Sequence, residues 1–280
     1  MTTSENTVNN AIKAWIDFLS NKPIPVLKLT ARELQNLKED ENKLTVRNIT
    51  PIVLHDPFMV FRVLSYAKQH PSKHQQQDLI QVEQAILMMG TNAFYRNLPT
   101  NLVIEDQLKD KLPALGQLLK IVKRTHRATY YATDWAAYHK DLRSDEVHIG
   151  TLLHDLAEML LWCFAPNKML NIAHLQQADK TLRSKVAQER VLGFKISDLQ
   201  KALVENFQLP PLLSKLMDDE NSNDHHATNV RLAINLARHS ANGWDDAALP
   251  DDYKEIAAFL RVDVEKAKAI IGVPTGETTN

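Results

Sequence analysis

The dipeptide His-Asp occurs twice in this 280-residue chain, and one copy stands where it is chemically expensive. His154-Asp155 lies in the run Ile149-Gly-Thr-Leu-Leu-His-Asp-Leu-Ala-Glu-Met-Leu-Leu-Trp162, an apolar segment of helical spacing. An imidazole and a carboxylate in such a segment are costly to bury unless something satisfies them. Either the pair ligates a metal, or it is a hydrogen-bonded remnant of a site that once did. A divalent-metal phosphohydrolase needs imidazole and carboxylate ligands converging from several helices. Neighbours on a helix diverge by about 100°, so the pair flanks a metal only over the helix edge. Further ligands must come from elsewhere. Upstream, His126 stands in Lys123-Arg-Thr-His-Arg-Ala-Thr-Tyr-Tyr131, and downstream an acid on a later helix is required.

The second copy, His55-Asp56, is followed by Pro57. Asp is a good N-cap and Pro suits the first helical position, so this pair reads as a helix start. His225-His226 stands in a polar loop beside acids and reads as surface histidines able to pick up metal adventitiously. Cys163, the one cysteine, sits in an apolar run and reads as a buried thiol. Tyr130, Tyr131 and Trp135 fit either base stacking or a helix core. Lys123, Arg124 and Arg127 form either a phosphate-holding cluster beside His126 or a solvated face; Arg127 and Tyr130 are the candidates for ligand contact. No P-loop, nucleophile elbow, dinucleotide glycine fingerprint or cysteine-based zinc spacing is present.

The elements that must position these residues are helices. Only seven glycines occur and no alternating β-branched runs, and the 44% hydrophobic and 24% charged composition is that of a globular chain. A helix through Val8, Ile12, Trp15, Ile16 and Leu19 ends before Pro23 and Pro25. Short helices follow over 32–40, from Thr45 as a cap, from Pro57 to about Ala67, and over Ile80–Met89 with Gly90 as the stop. A polar loop is expected over 70–77. The polar stretch 99–112, bounded by Pro99 and Pro113, suggests a boundary between two helical halves. A long helix is expected from Ala114 to His139. Ser144 then caps one continuous helix that carries His154-Asp155 as far as Pro166. Further helices are expected over 168–178, 180–192, 197–206, 210–219, 227–242, 251–260 and 263–271, with a loop at 221–224 and a polar tail at the end. The expected fold class is all-α.

A formal charge of −1 offers no basic excess for phosphate backbones, so nucleic acid is not an expected partner. The N-terminus lacks the pattern of a signal peptide, and no apolar run is long enough to span a bilayer. The expectation is a cytoplasmic protein without membrane partners.

His126, then His154-Asp155, then the segment Asn229-Val-Arg-Leu-Ala-Ile-Asn-Leu-Ala237 resembles the HD superfamily, whose motif is His, His-Asp, Asp. On that resemblance Asn235 stands where the last aspartate belongs, and Leu156-Ala157-Glu158 replaces the common Gly-Lys continuation. More specifically the chain resembles the HDOD family, the HD-related output domain of bacterial signalling proteins, over roughly residues 20–270. The segments that carry this resemblance are Pro23-Ile-Pro25, Leu54-His-Asp-Pro57 with Phe61-Arg-Val-Leu64, Ile80-Gln-Val-Glu-Gln-Ala-Ile-Leu-Met-Met-Gly90, Glu189-Arg-Val-Leu-Gly193, and Phe207-Gln-Leu-Pro210. It departs from the family at Ile196 and at Asp218-Asp219, where histidines often stand.

The resemblance implies an N-terminal helix over 1–21 and an HDOD domain over 22–271, with an N-terminal helical subdomain at about 22–105 and an HD-like subdomain at about 113–271. A tail over 272–280 follows. It implies a metal set of His126, His154, Asp155 and Asn235, vestigial because Asn lowers the charge of the site and weakens divalent binding. The function expected is a non-catalytic signalling or regulatory module that binds a signalling protein partner or a nucleotide-like small ligand in a groove between its halves. No receiver or cyclase domain is expected beside it, and no cofactor. The alternatives are a metal-dependent phosphohydrolase using manganese, iron or zinc, and a structural scaffold acting as a homodimer.

Overall fold

The structure, a computed structural model, describes residues 3–40, 42–71, 81–219 and 224–274. In chain order the first helices are α1 (Thr3–Ser20), α2 (Lys28–Glu39), α3 (Val46–Leu54), α4 (Pro57–Gln69), α5 (Val82–Met89) and α6 (Thr91–Asn97). Then come α7 (Ile104–Gln107), the long α8 (Leu112–Tyr138), α9 (Ser144–Leu153), α10 (Leu156–Phe164) and α11 (Pro166–Ala178). The last are α12 (Ser184–Leu192), α13 (Ile196–Asn206), α14 (Pro211–Leu216), α15 (His225–His239), α16 (Leu249–Leu260) and α17 (Val264–Ile271). The all-α expectation holds. Among the described residues the only β pairing is a single parallel bridge between Val26 and Val103. No described helix is long and apolar enough to cross a membrane. The loops expected at 70–77 and 221–224, the start of the Ile80 helix and the tail from 276 fall wholly or largely outside the described residues.

The helix starts follow local chemistry. Thr45 accepts the Asn48 N–H at 3.3 Å and opens α3. Asp56 caps α4, with Pro57 at its first position. Gly90 ends α5 at φ +80°, a left-handed geometry that glycine adopts at little cost.

The chain divides into two compact units, each of two segments: Met1–Val122 with Leu153–Ser214, and Lys123–Leu152 with Lys215–Asn280. The compact units therefore part within α8, α9 and α14. The 99–112 stretch lies wholly in the first, where it forms the Val103 bridge, α7 and the buried Leu108. The core of the first unit is built on α4, where Phe58 through Leu64, apart from Arg62, are buried, and on α10, where Met159 through Cys163 are buried. The core of the second gathers Trp135 on α8, Leu232 and Leu236 on α15, and Ile256 and Leu260 on α16. There Gly150 faces the Leu216 Cβ, 2.9 Å from where its own Cβ would sit, so any larger residue would push α9 off α14.

Candidate functional site

The continuous helix expected through His154-Asp155 is broken there. Leu153 ends α9, Leu156 begins α10, and the pair forms the turn between them, with Asp155 at φ −98°, ψ 21°. A helix break leaves terminal N–H and C=O groups without partners, and here they are buried. Gln200, on α13 of the same unit, answers both ends. Its Oε1 accepts the Ala157 N–H at 2.7 Å, and its Nε2 donates to the Leu153 carbonyl at 3.1 Å.

Asp155 holds the N-cap position of α10, yet its side chain makes no capping bond. Gln200 has taken that work, and the carboxylate turns to its neighbour: His154 Nδ1 lies 3.0 Å from Asp155 Oδ1. Both residues are 9% exposed. Such a contact fixes the ring's orientation and favours the tautomer that donates from Nδ1. Chemically, the pair is an oriented imidazole backed by a carboxylate.

The other two candidate ligands lie in the second unit. His126 is half-buried on α8 and Asn235 half-buried on α15. Asn229 ties these helices together by donating from Nδ2 to the Ala132 carbonyl at 3.0 Å. Among the described residues no group of three or more His, Cys, Asp or Glu side chains is arranged to hold a metal ion.

Arg127, beside His126, is committed within its own unit. Its Nε donates to the Tyr131 hydroxyl at 2.9 Å, one terminal nitrogen donates to the Ser240 carbonyl at 3.1 Å, and its guanidinium lies 4.8 Å from the Trp244 ring centre. Tyr131 and Trp135 are buried and stack with centroids 5.9 Å apart, which places them in the core. Tyr130, by contrast, is 68% exposed. Of the neighbouring cations, Lys123 is exposed and Arg124 half-buried.

His225-His226 is not in a loop. Asp224 caps α15, accepting the N–H groups of His226 and Ala227 at 2.8 and 3.0 Å. His226 is largely buried, with Nε2 2.8 Å from Asp141 and Nδ1 3.0 Å from Arg143. His225 stacks on Phe259 at 4.6 Å, and His139 meets both edge-on. His225 is exposed, and partial desolvation of its ring together with the nearby imidazoles of His139 and His226 lowers its proton affinity below the ordinary range. Burial likewise pushes the Cys163 thiol far above its ordinary value, which leaves it inert as a nucleophile.

His55-Asp56 is the helix start expected. Asp56, fully buried, accepts the N–H groups of Phe58 at 2.9 Å and Met59 at 3.1 Å from its own helix, and of Leu27 at 2.8 Å from the start of α2.

The functional residue that sequence reasoning missed is Gln200. A signal existed: Leu199, Leu203 and Val204 set the buried face of an amphipathic helix, and Gln200 lies on that face. A buried amide among aliphatic residues implies a polar partner, although nothing in the sequence names it.

A family model described as "HDOD domain" matches residues 24–222. No curated protein matches the sequence. Among solved structures, the MmoQ response regulator of Methylococcus capsulatus superposes with a TM-score of 0.67 at 16% identity, covering 90% of this chain and 98% of that one. A virulence factor of Campylobacter jejuni superposes with a TM-score of 0.66 at 14% identity, covering 97% of this chain and 93% of that one. At these identities the likeness is one of fold.

Proposed function

The chain belongs to the HDOD domain family, and on that premise we propose that it is a cytoplasmic, non-catalytic module of signal transduction, working by binding a protein partner or a small signalling ligand rather than by turning over a substrate. The observation that carries this reading is the pairing of His154 with its own neighbour Asp155, at 3.0 Å. Hydrolysis of the HD type needs several protein ligands around a divalent ion that activates water. Here the carboxylate that would help neutralise such an ion bonds the adjacent imidazole, and the resemblance puts a neutral side chain, Asn235, in place of the last acid. What the pair still does is brace the junction of α9 and α10.

Elemental analysis of untagged protein, incubated with manganese and desalted, tests this. The expected result is well under one equivalent of manganese, iron or zinc, unchanged in His154→Ala. About one equivalent that disappears in His154→Ala would overturn the reading in favour of a metal-dependent phosphohydrolase. Asn235→Asp should then raise both metal affinity and phosphatase activity.

A further inference from the structure

Helix α1 precedes the residues matched by the family model, and it builds one wall of a cavity whose other walls lie within them. It packs on α13 in the first unit, burying Ile16 and Leu19. Ala14, Trp15 and Phe18 line an open cavity of about 570 Å³, flanked by the end of α10 and the start of α11. Drug-sized ligands occupy pockets of about 300–1,000 Å³, mostly apolar with a few placed polar groups.

The lining has a definite chemistry. Trp15, Phe18 and Phe164 form an aromatic row, each successive pair edge-on with centroids 5.7 Å apart. Phe18 is 38% exposed, unusual for so large an apolar ring. Lys111 and Lys168, both exposed, also line the cavity, and the Lys22 ammonium lies 5.3 Å from the Phe18 centroid. None of the lining residues is acidic, and one, Asn167, is polar without charge. A nucleotide needs several donors and acceptors to read its base and ribose, and this lining does not offer them. An apolar body with one anionic head matches it: the body lies along the aromatic row and the head sits between the lysines.

The geometry points to a binding site, formed by α1 against α10 and α11, for a small amphipathic anion such as a medium-chain acyl carboxylate. The site lies apart from His154-Asp155, and the metal content of the protein can fall either way without altering it.

Titration calorimetry of the full chain with decanoate below its micellar concentration tests the proposal, with decanol as the uncharged counterpart. Decanoate should bind saturably at one site. Decanol, and decanoate on the double variant Lys111→Gln/Lys168→Gln, should bind about tenfold more weakly, the size expected for two partly exposed charge contacts. Ala14→Phe fills the cavity from an exposed position of α1 and should abolish binding while leaving the helical circular dichroism intact. The proposal is overturned if decanoate gives no saturable heat, if Ala14→Phe binds as the parent does, or if decanol binds as tightly as decanoate. Retention on anionic phospholipid vesicles without binding of free decanoate would also overturn it, in favour of a membrane-facing surface.

Discussion

The two His-Asp dipeptides occupy the same local position and end differently. Asp56 and Asp155 each stand at the N-cap of a buried helix, with a histidine just before. In the first pair His55 is exposed, and the Asp56 carboxylate gathers three backbone N–H groups from two helices. In the second, both side chains are buried and bond each other, because Gln200 on α13 has taken over the backbone. The difference teaches that a dipeptide's role is set by whatever else can satisfy the helix terminus. Where nothing else can, the aspartate becomes a cap; where a third residue does so, it is released to orient an imidazole.

The largest effect should fall on the first pair. Asp56→Ala strands three buried N–H groups, and urea denaturation should show a loss of about 3–5 kcal/mol. Gln200→Leu leaves one buried donor and one buried acceptor without partners, and should cost about 2–4 kcal/mol by the same measurement. Asp155→Asn keeps an acceptor for His154 but removes the charge, so the expected loss is about 1 kcal/mol. If Asp155→Ala lost as much stability as Asp56→Ala, Asp155 would be a structural cap and the comparison would fail. His55→Ala, at an exposed position, should change stability by less than about 0.5 kcal/mol.

A histidine that its own neighbour does not hold supplies the smallest effect. His225 faces His139, His226, Asp141 and Arg261, and partial desolvation with the two imidazoles lowers its proton affinity in the fold. The unfolded chain therefore takes up this proton first as pH falls. The contribution to stability is complete above the ordinary histidine value of about 6.5 and declines as pH drops from there toward the lowered one. His225→Phe keeps the stacking on Phe259 and should flatten the melting temperature between pH 6.5 and 5.

Much of this was legible wherever the controlling residues are close in sequence. Thr45, Asp56-Pro57 and Gly90 act within one turn of themselves, and their helices begin and end as their chemistry requires. The break at His154-Asp155 was not legible, because an uninterrupted apolar run reads as one helix and the amide that stabilises the break lies on α13. The start of α15 was missed for a related reason. His225-His226 looks like loop when read beside acids, yet one of those acids, Asp224, is the cap, and the partners that bury His226 are Asp141 and Arg143. Arg127 beside His126 resembles a phosphate ligand until Trp244 and Ser240, more than a hundred residues on, claim its donors and its flat face.

The interleaving of the first unit also has a consequence in time. Phe61 on α4 packs edge-on against Phe207, with ring centroids 4.8 Å apart, and the ribosome adds Phe207 well over a hundred residues later. At ordinary rates of synthesis that delay is on the order of ten seconds. Throughout it the nascent N-terminal segment carries an apolar face whose cover has not yet been translated. Slowing or pausing the ribosome between these two codons should therefore raise the demand for chaperones, although the finished sequence is unchanged.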